Sequence, residues 1–258
     1  HQKGSVDMDM MLGKNYEVFT IEHHATGIHL TQKGMDYLED YVKQVRDVIG
    51  YEVPLAIDHF GHICIEDCIM FAKRLEKYNI AWIEDIAPWH YTKHFEKISH
   101  AVNVPICTGE DIYLAENFEL LMKNGGISVA HPDILTVGGA MEMKKLGGMC
   151  DKYGVAMAIH MAESPIACMA AIHAAAAVKN IMAVEFHSVD IPWWNDIANG
   201  IANPLFKDGF VEVPDKHGLG IDSLNEELIA EHMHEKYPEM WADTSCWDNE
   251  WANDREWS

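Results

Sequence analysis

Asp58, Glu84, Glu110, Asp133, His160 and Glu185 each close a short apolar run: "LAID", "AWIE", "PICTGE", "VAHPD", "AMAIH" and "MAVE". Carboxylates gathered in one place repel one another unless a cation neutralises them, and hard oxygen donors select Mg²⁺ or a similar ion. A histidine beside a carboxylate is a proton-transfer pair. One acid after an apolar run is ordinarily a helix N-cap or a solvated loop residue. Six in register are harder to assign to chance.

The intervals between the six are 26, 26, 23, 27 and 25 residues. A strand, a helix and two loops need about that many, so the near-constant period predicts repeated βα units. The intervening stretches agree. "MDYLEDYVKQVRDVIG" places Leu38, Tyr41, Val42, Val45, Val48 and Ile49 at helical spacing, with Gly50 as the stop, and "CIMFAKRLEKYN" and "NFELLMKNGG" read likewise. Parallel strands joined by helices close most naturally into a (β/α) barrel of the TIM type, whose catalytic groups sit at the C-terminal ends of the strands. The predicted fold class is therefore α/β, with the barrel over residues 1–220 and a tail over 221–258.

Composition narrows the function. With 258 residues, 48% of them hydrophobic, the chain can bury a full core. Asp and Glu outnumber Lys and Arg 41 to 19, for a net charge of −22, a field that repels nucleic acid and anionic membranes. Cys64, Cys68, Cys107, Cys150, Cys168 and Cys246 lie scattered in apolar stretches without paired spacing, which suits free thiols in a reducing compartment, the cytoplasm. No apolar run reaches the roughly 18 residues of a membrane span.

The combination of "DHFGH", "WIEDIAPW", "TGEDIY", "HPDILTVGG" and "AIHMAESP" resembles the mandelate racemase and muconate lactonizing branch of the enolase superfamily, over roughly residues 31 to 225. The resemblance implies that Asp58, Glu84 and Glu110 hold Mg²⁺, that Asp133 and His160 form the dyad taking the proton alpha to a substrate carboxylate, and that Glu185 hydrogen-bonds that carboxylate. The physics is consistent: removing such a proton builds a second negative charge on the carboxylate oxygens, which a divalent cation stabilises. Asp133 would orient the imidazole and favour its protonated form. Asp85 and Asp111 directly follow two of the ligands, so strand alternation should turn them away from the metal. His187, Asp190 and "PWW" (Pro192, Trp193, Trp194) either shape a pocket or pack a loop.

The sequence also departs from the family. The stretch most like the second barrel strand, "SVDMDMML", offers Asp7 and Asp9 where racemases carry a lysine, and Lys3 and Lys14 only flank it. Where relatives resembling galactonate dehydratase place a histidine two residues after the first ligand, this chain has Phe60, between His59 and His62. His62 and His23 are the candidates for a general acid. No capping domain and no first strand are evident, so the chain is expected to be an incomplete enzyme by itself. The expected function is Mg²⁺-dependent dehydration of an acid sugar to a 2-keto-3-deoxy acid. The alternatives are a racemase or epimerase of a hydroxy acid and a non-catalytic relative. The expected partners are a small carboxylate substrate and further copies of the chain in a homo-oligomer.

Overall fold

The computed structural model describes residues 11–12, 29–58, 63–233 and 240. These fall into two compact units, one running up to Asp111 and including Asn117–Ala130, the other comprising Ile112–Glu116 and the residues from His131 onward.

In the first unit, β1 (Met11–Leu12) pairs antiparallel with β2 (His29–Leu30). "SVDMDMML" was expected to supply a parallel barrel strand; its end pairs antiparallel instead, and residues 5–10 lie outside those described. Helix α1 (Gln32–Ile49) starts where the Thr31 hydroxyl accepts the Gly34 N–H at 3.2 Å. It stops at Gly50, whose φ of 70° lets its N–H turn back to the Arg46 carbonyl.

The buried line of α1 is Met35, Val42 and Arg46. Tyr41 and Val48, expected on that face, are exposed, Val48 by 85%. At 3.6 residues per turn they lie roughly 120–140° round the helix from the line that Arg46 completes. Arg46 is only 2% exposed because its guanidinium caps carbonyls: it donates to Tyr78 O, Gly50 O, Val53 O and Asn79 O at 2.7–2.9 Å. It thus ties the end of α1 both to the segment that leads to Asp58 and to the turn after α2 (Ile65–Leu75).

The apolar run ending at Asp58 forms a single parallel bridge, Ile57 to Ile83, rather than a full strand. Ile57 N–H donates to Trp82 O and Glu84 N–H to Ile57 O, which sets Asp58 beside the end of β3 (Ile83–Glu84). After α3 (Thr92–Ala101), β4 (Ile106–Thr108) pairs parallel with β3; after α4 (Glu119–Lys123), β5 (Val129–Ala130) pairs parallel with β4. Phe71, Leu75, Ile83, Phe95, Ile106 and Phe118 are fully buried between strands and helices. Each such side chain contributes about 1.5–3 kcal/mol by leaving water.

The second unit carries α5 (Ala140–Tyr153), β6 (Ala156–Ile159), α6 (Pro165–Ala176) and β7 (Ile181–Val184). β6 and β7 are parallel, with a register shift between Met157 and Ala158. A β-carbon on Gly147 of α5 would lie 2.6 Å from Val178, so only glycine admits the close approach to the chain after α6. Short strands β8 (Ala198–Asn199) and β9 (Ser223–Leu224) pair antiparallel before α7 (Glu226–Glu231).

The parallel strands follow sequence order, three in the first unit and two in the second, each alternating with helix as the 26-residue period predicts. Among the described residues no pairing closes them into a ring, so what is seen of the expected barrel is its parallel α/β succession. Cys64, Cys68, Cys107, Cys150 and Cys168 are free and buried, as expected; Cys246 is outside the described residues. No described helix is long and apolar enough to cross a membrane.

Replacing Arg46 by Met keeps the buried stem but leaves four carbonyls without their charged donor. The variant should lose about 3 kcal/mol of stability in urea unfolding followed by circular dichroism. A loss under about 1 kcal/mol would mean that water satisfies those carbonyls equally well.

Candidate active site

In the first unit, the strand ends bring acids together. Glu84 closes β3 and is buried; its Oε2 accepts the Trp82 indole N–H at 2.9 Å, from a residue two positions earlier and hence on the same strand face. Asp58 is exposed at the end of the neighbouring bridge. Glu110 is half-buried and follows Gly109, whose φ of 151° a side chain would rarely adopt.

Asp85 does not turn away as strand alternation suggests. It has a φ of +44°, a left-handed conformation that breaks the alternation. As a result Asp58, Glu84 and Asp85 present carboxylate oxygens within 4.8 Å of one another. Asp85 is 1% exposed; Thr108 Oγ1 donates to its Oδ1 at 2.5 Å, and among the described residues its buried Oδ2 has no hydrogen-bond partner. Burial, and then the charges of Glu110, Glu84 and Asp58, push the Asp85 carboxyl well above the usual carboxylate range, against the pull of the Thr108 hydrogen bond. The Cys107 thiol is driven up as well, by burial first and then by Glu84, Asp85, Asp58 and Glu110. The four acids therefore act as one concentrated negative site.

Such a donor set fits a hard divalent cation. All its donor atoms are carboxylate oxygens, which suit Mg²⁺ rather than a thiophilic metal, and a bound cation would offset the repulsion that now pushes the Asp85 carboxyl up. Asp58, Glu84 and Glu110, the expected ligands, all belong to the charge cluster around Asp85.

In the second unit, the turn "HPDILT" fixes Asp133. Its Oδ1 accepts the N–H groups of Leu135 and Thr136 at 2.6 and 3.2 Å, which aims Oδ2 at His160 Nδ1, 2.9 Å away. Asp133 and His160 also meet through a parallel backbone bridge, with His160 N–H donating to Pro132 O. Burial raises the Asp133 carboxyl, but hydrogen bonds from the His160 ring and the Leu135 N–H outweigh it and hold the group below its ordinary value.

His160 Nε2 lies 3.7 Å from Glu185 Oε2, and Glu185 also accepts the Met161 N–H at 3.2 Å. The structure thus brings Asp133, His160 and Glu185 together. His62, the fourth expected catalytic residue, lies outside the described residues, as do His59, Phe60, His23, Lys3, Lys14, Asp7 and Asp9.

Two neighbours were not anticipated. Glu163 offers an oxygen within 4.8 Å of groups on both Asp133 and His160; burial and the Asp133 charge raise its carboxyl above the ordinary value. Buried His131 sits edge-on to His160 with ring centroids 5.7 Å apart, its Nε2 3.8 Å from Glu185 Oε2. His131 was detectable in "AHPD", since a residue two before Asp133 shares its strand face. Glu163 sits in the loop just before the Ser164 N-cap of α6 and reads as a helix-start residue, so nothing in its position flagged it. Trp194 is buried against Phe186 and donates its indole N–H to Glu163 O at 2.8 Å, so it packs the loop that carries Glu163. Trp193 stacks on His232.

A family model described as "Enolase C-terminal domain-like" matches residues 17–228. The chain is 30% identical over 207 residues to D-xylonate dehydratase of Haloferax volcanii, covering 80% of this chain and 50% of that protein. It is 27% identical over 214 residues to D-galactonate dehydratase of Ralstonia pickettii, covering 81% and 56%. It therefore spans about half the length of the curated relatives it matches. Among solved structures, a mandelate racemase/muconate lactonizing enzyme-like protein from Rubrobacter xylanophilus superposes with a TM-score of 0.77 at 30% identity, covering 81% of this chain and 53% of that one. The 3,6-anhydro-D-galactonate cycloisomerase of Zobellia galactanivorans gives 0.69 at 25%, covering 78% and 56%. With a family model over most of its length and relatives of this kind, the chain belongs to the enolase superfamily, in its mandelate racemase and muconate lactonizing branch.

Proposed function

We propose that the chain carries the catalytic (β/α) barrel part of a Mg²⁺-dependent acid-sugar dehydratase, and that Asp58, Glu84 and Glu110 hold the cation. The observation that carries this reading is the 2.9 Å contact between Asp133 Oδ2 and His160 Nδ1. With Nδ1–H donated to Asp133, proton transfer falls to Nε2, and the carboxylate favours the imidazolium that forms when Nε2 takes a proton. When bound, the cation supplies the positive charge that offsets the second negative charge growing on the substrate carboxylate.

The remaining steps belong to the chain's own groups. His160 Nε2 takes the proton alpha to the substrate carboxylate. The same imidazolium returns it to the β-hydroxyl, which departs as water, and the resulting enol tautomerises to the 2-keto-3-deoxy acid. One histidine serving both steps needs no second base on the opposite face, which favours dehydration over racemisation. Glu185, 3.7 Å from Nε2, hydrogen-bonds the substrate carboxylate. Glu163, within 4.8 Å of both members of the dyad, can donate to Asp133 whenever it is protonated. The dehydratase names of two relatives support an acid-sugar substrate.

The direct test is incubation with a panel of aldonic and aldaric acids and Mg²⁺ in D₂O, monitoring 2-keto acid and alpha-carbon deuterium. 2-Keto acid formation that EDTA abolishes supports the reading. Deuterium entry without water loss would identify an epimerase, and no reaction would contradict catalysis by this chain. His160→Asn should lower turnover by about 10²–10⁴ or more with the fold intact. Unchanged alpha exchange in that variant would remove His160 as the base. Glu84→Gln should abolish high-affinity Mg²⁺ binding in calorimetry, and unaltered binding would remove the proposed ligand set.

Glu163 adds a pH test. Its raised carboxyl costs nothing when protonated in both folded and unfolded chains, and destabilises the fold as pH rises from about 4.3 through the folded value. Glu163→Gln should therefore match the wild type in stability near pH 4 and exceed it at pH 8. Equal stability of the two at both pH values would show that Glu163 is ionised without penalty.

A further inference from the structure

Asp85 has no part in the three-ligand set, yet the local structure is built around it. A left-handed φ at a non-glycine residue is strained, and here the strain turns a carboxylate toward Asp58 and Glu84 instead of away from them. Thr108, on the neighbouring strand, holds Oδ1 at 2.5 Å. That leaves Oδ2 fully buried and, among the described residues, without a hydrogen-bond partner, although buried polar atoms are nearly always paired. A side chain needed only to join β3 to β4 would require one acceptor for Thr108, not a carboxylate that also comes within 4.8 Å of Asp58 and Glu84.

We propose that Asp85 is a fourth carboxylate of the cation site, held through Oδ1 by Thr108 so that Oδ2 serves the cation bound by Asp58, Glu84 and Glu110. The inference deepens the metal-dependent reading and rests on it. A fourth carboxylate raises the negative charge facing the ion and favours a compact divalent cation over a monovalent one.

Asp85→Asn is the discriminating variant, because the amide oxygen still accepts the Thr108 hydroxyl proton while the charge is removed. Mg²⁺ alone, titrated calorimetrically into the whole chain at one fixed pH, should bind about 10–100-fold more weakly to this variant than to the wild type. The Mg²⁺-induced rise in melting temperature should shrink in parallel. In EDTA the variant should melt no lower than the wild type, whereas a purely structural Asp85 would lower it. Thr108→Val, which frees Oδ1 without touching the carboxylate, should weaken Mg²⁺ binding in the same direction.

Affinity within about twofold of wild type in a folded Asp85→Asn chain would overturn the inference while leaving the three-ligand site standing. Should Asp85→Asn fail to fold, unchanged affinity in Thr108→Val would overturn it equally. No Mg²⁺ binding by the wild type would instead overturn the metal reading itself, and this inference with it.

Discussion

Repulsion among four carboxylates is the constraint around which the first unit is arranged. Burial first, and then the charges of Glu110, Glu84 and Asp58, disfavour the ionised form of Asp85. A fold that kept such groups together without a positive partner would give up stability at neutral pH. The elements around them do not disperse the charge; they fix it. Arg46 ties down the segment leading to Asp58, the Ile57 to Ile83 bridge lines Asp58 up with β3, Trp82 orients Glu84 and Thr108 grips Asp85. Rigid placement of repelling carboxylates is what the proposed cation site needs, because little reorganisation would be left on binding.

The second unit solves a different problem by the same means. A histidine that is to act as the proposed base must have one ring nitrogen committed so that the other has a defined role. Two backbone N–H groups hold Asp133, and Asp133 holds His160. The anchoring comes from the turn after β5, so it is set by local chain geometry rather than by flexible side chains.

Periodicity made much of this legible. The spacing picked out Asp58, Glu84 and Glu110, acids of the first unit, and Asp133, His160 and Glu185, which the second unit brings together. The terminus of α1 at Gly50 was equally readable. What the pattern could not carry is information that lives in single backbone angles or in tertiary satisfaction. Asp85 was misplaced because a two-residue alternation assumes an extended φ, and only a left-handed residue breaks it. Arg46 reads as a solvated helix residue until its four carbonyl partners are seen. Tyr41 and Val48 read as core because their spacing is right, though the helix rolls to bury Arg46 in their stead. Glu163 was hidden in a loop where acids are common.

Anomalous diffraction from crystals of the chain grown with Mn²⁺ would locate the proposed cation, since Mn²⁺ takes the same hard oxygen sites as Mg²⁺. One strong peak is expected about 2.1 Å from carboxylate oxygens of Asp58, Glu84 and Glu110, with Asp85 Oδ2 facing it. A well-ordered map with no peak among these acids, or with the metal held by other residues, would contradict the proposed site.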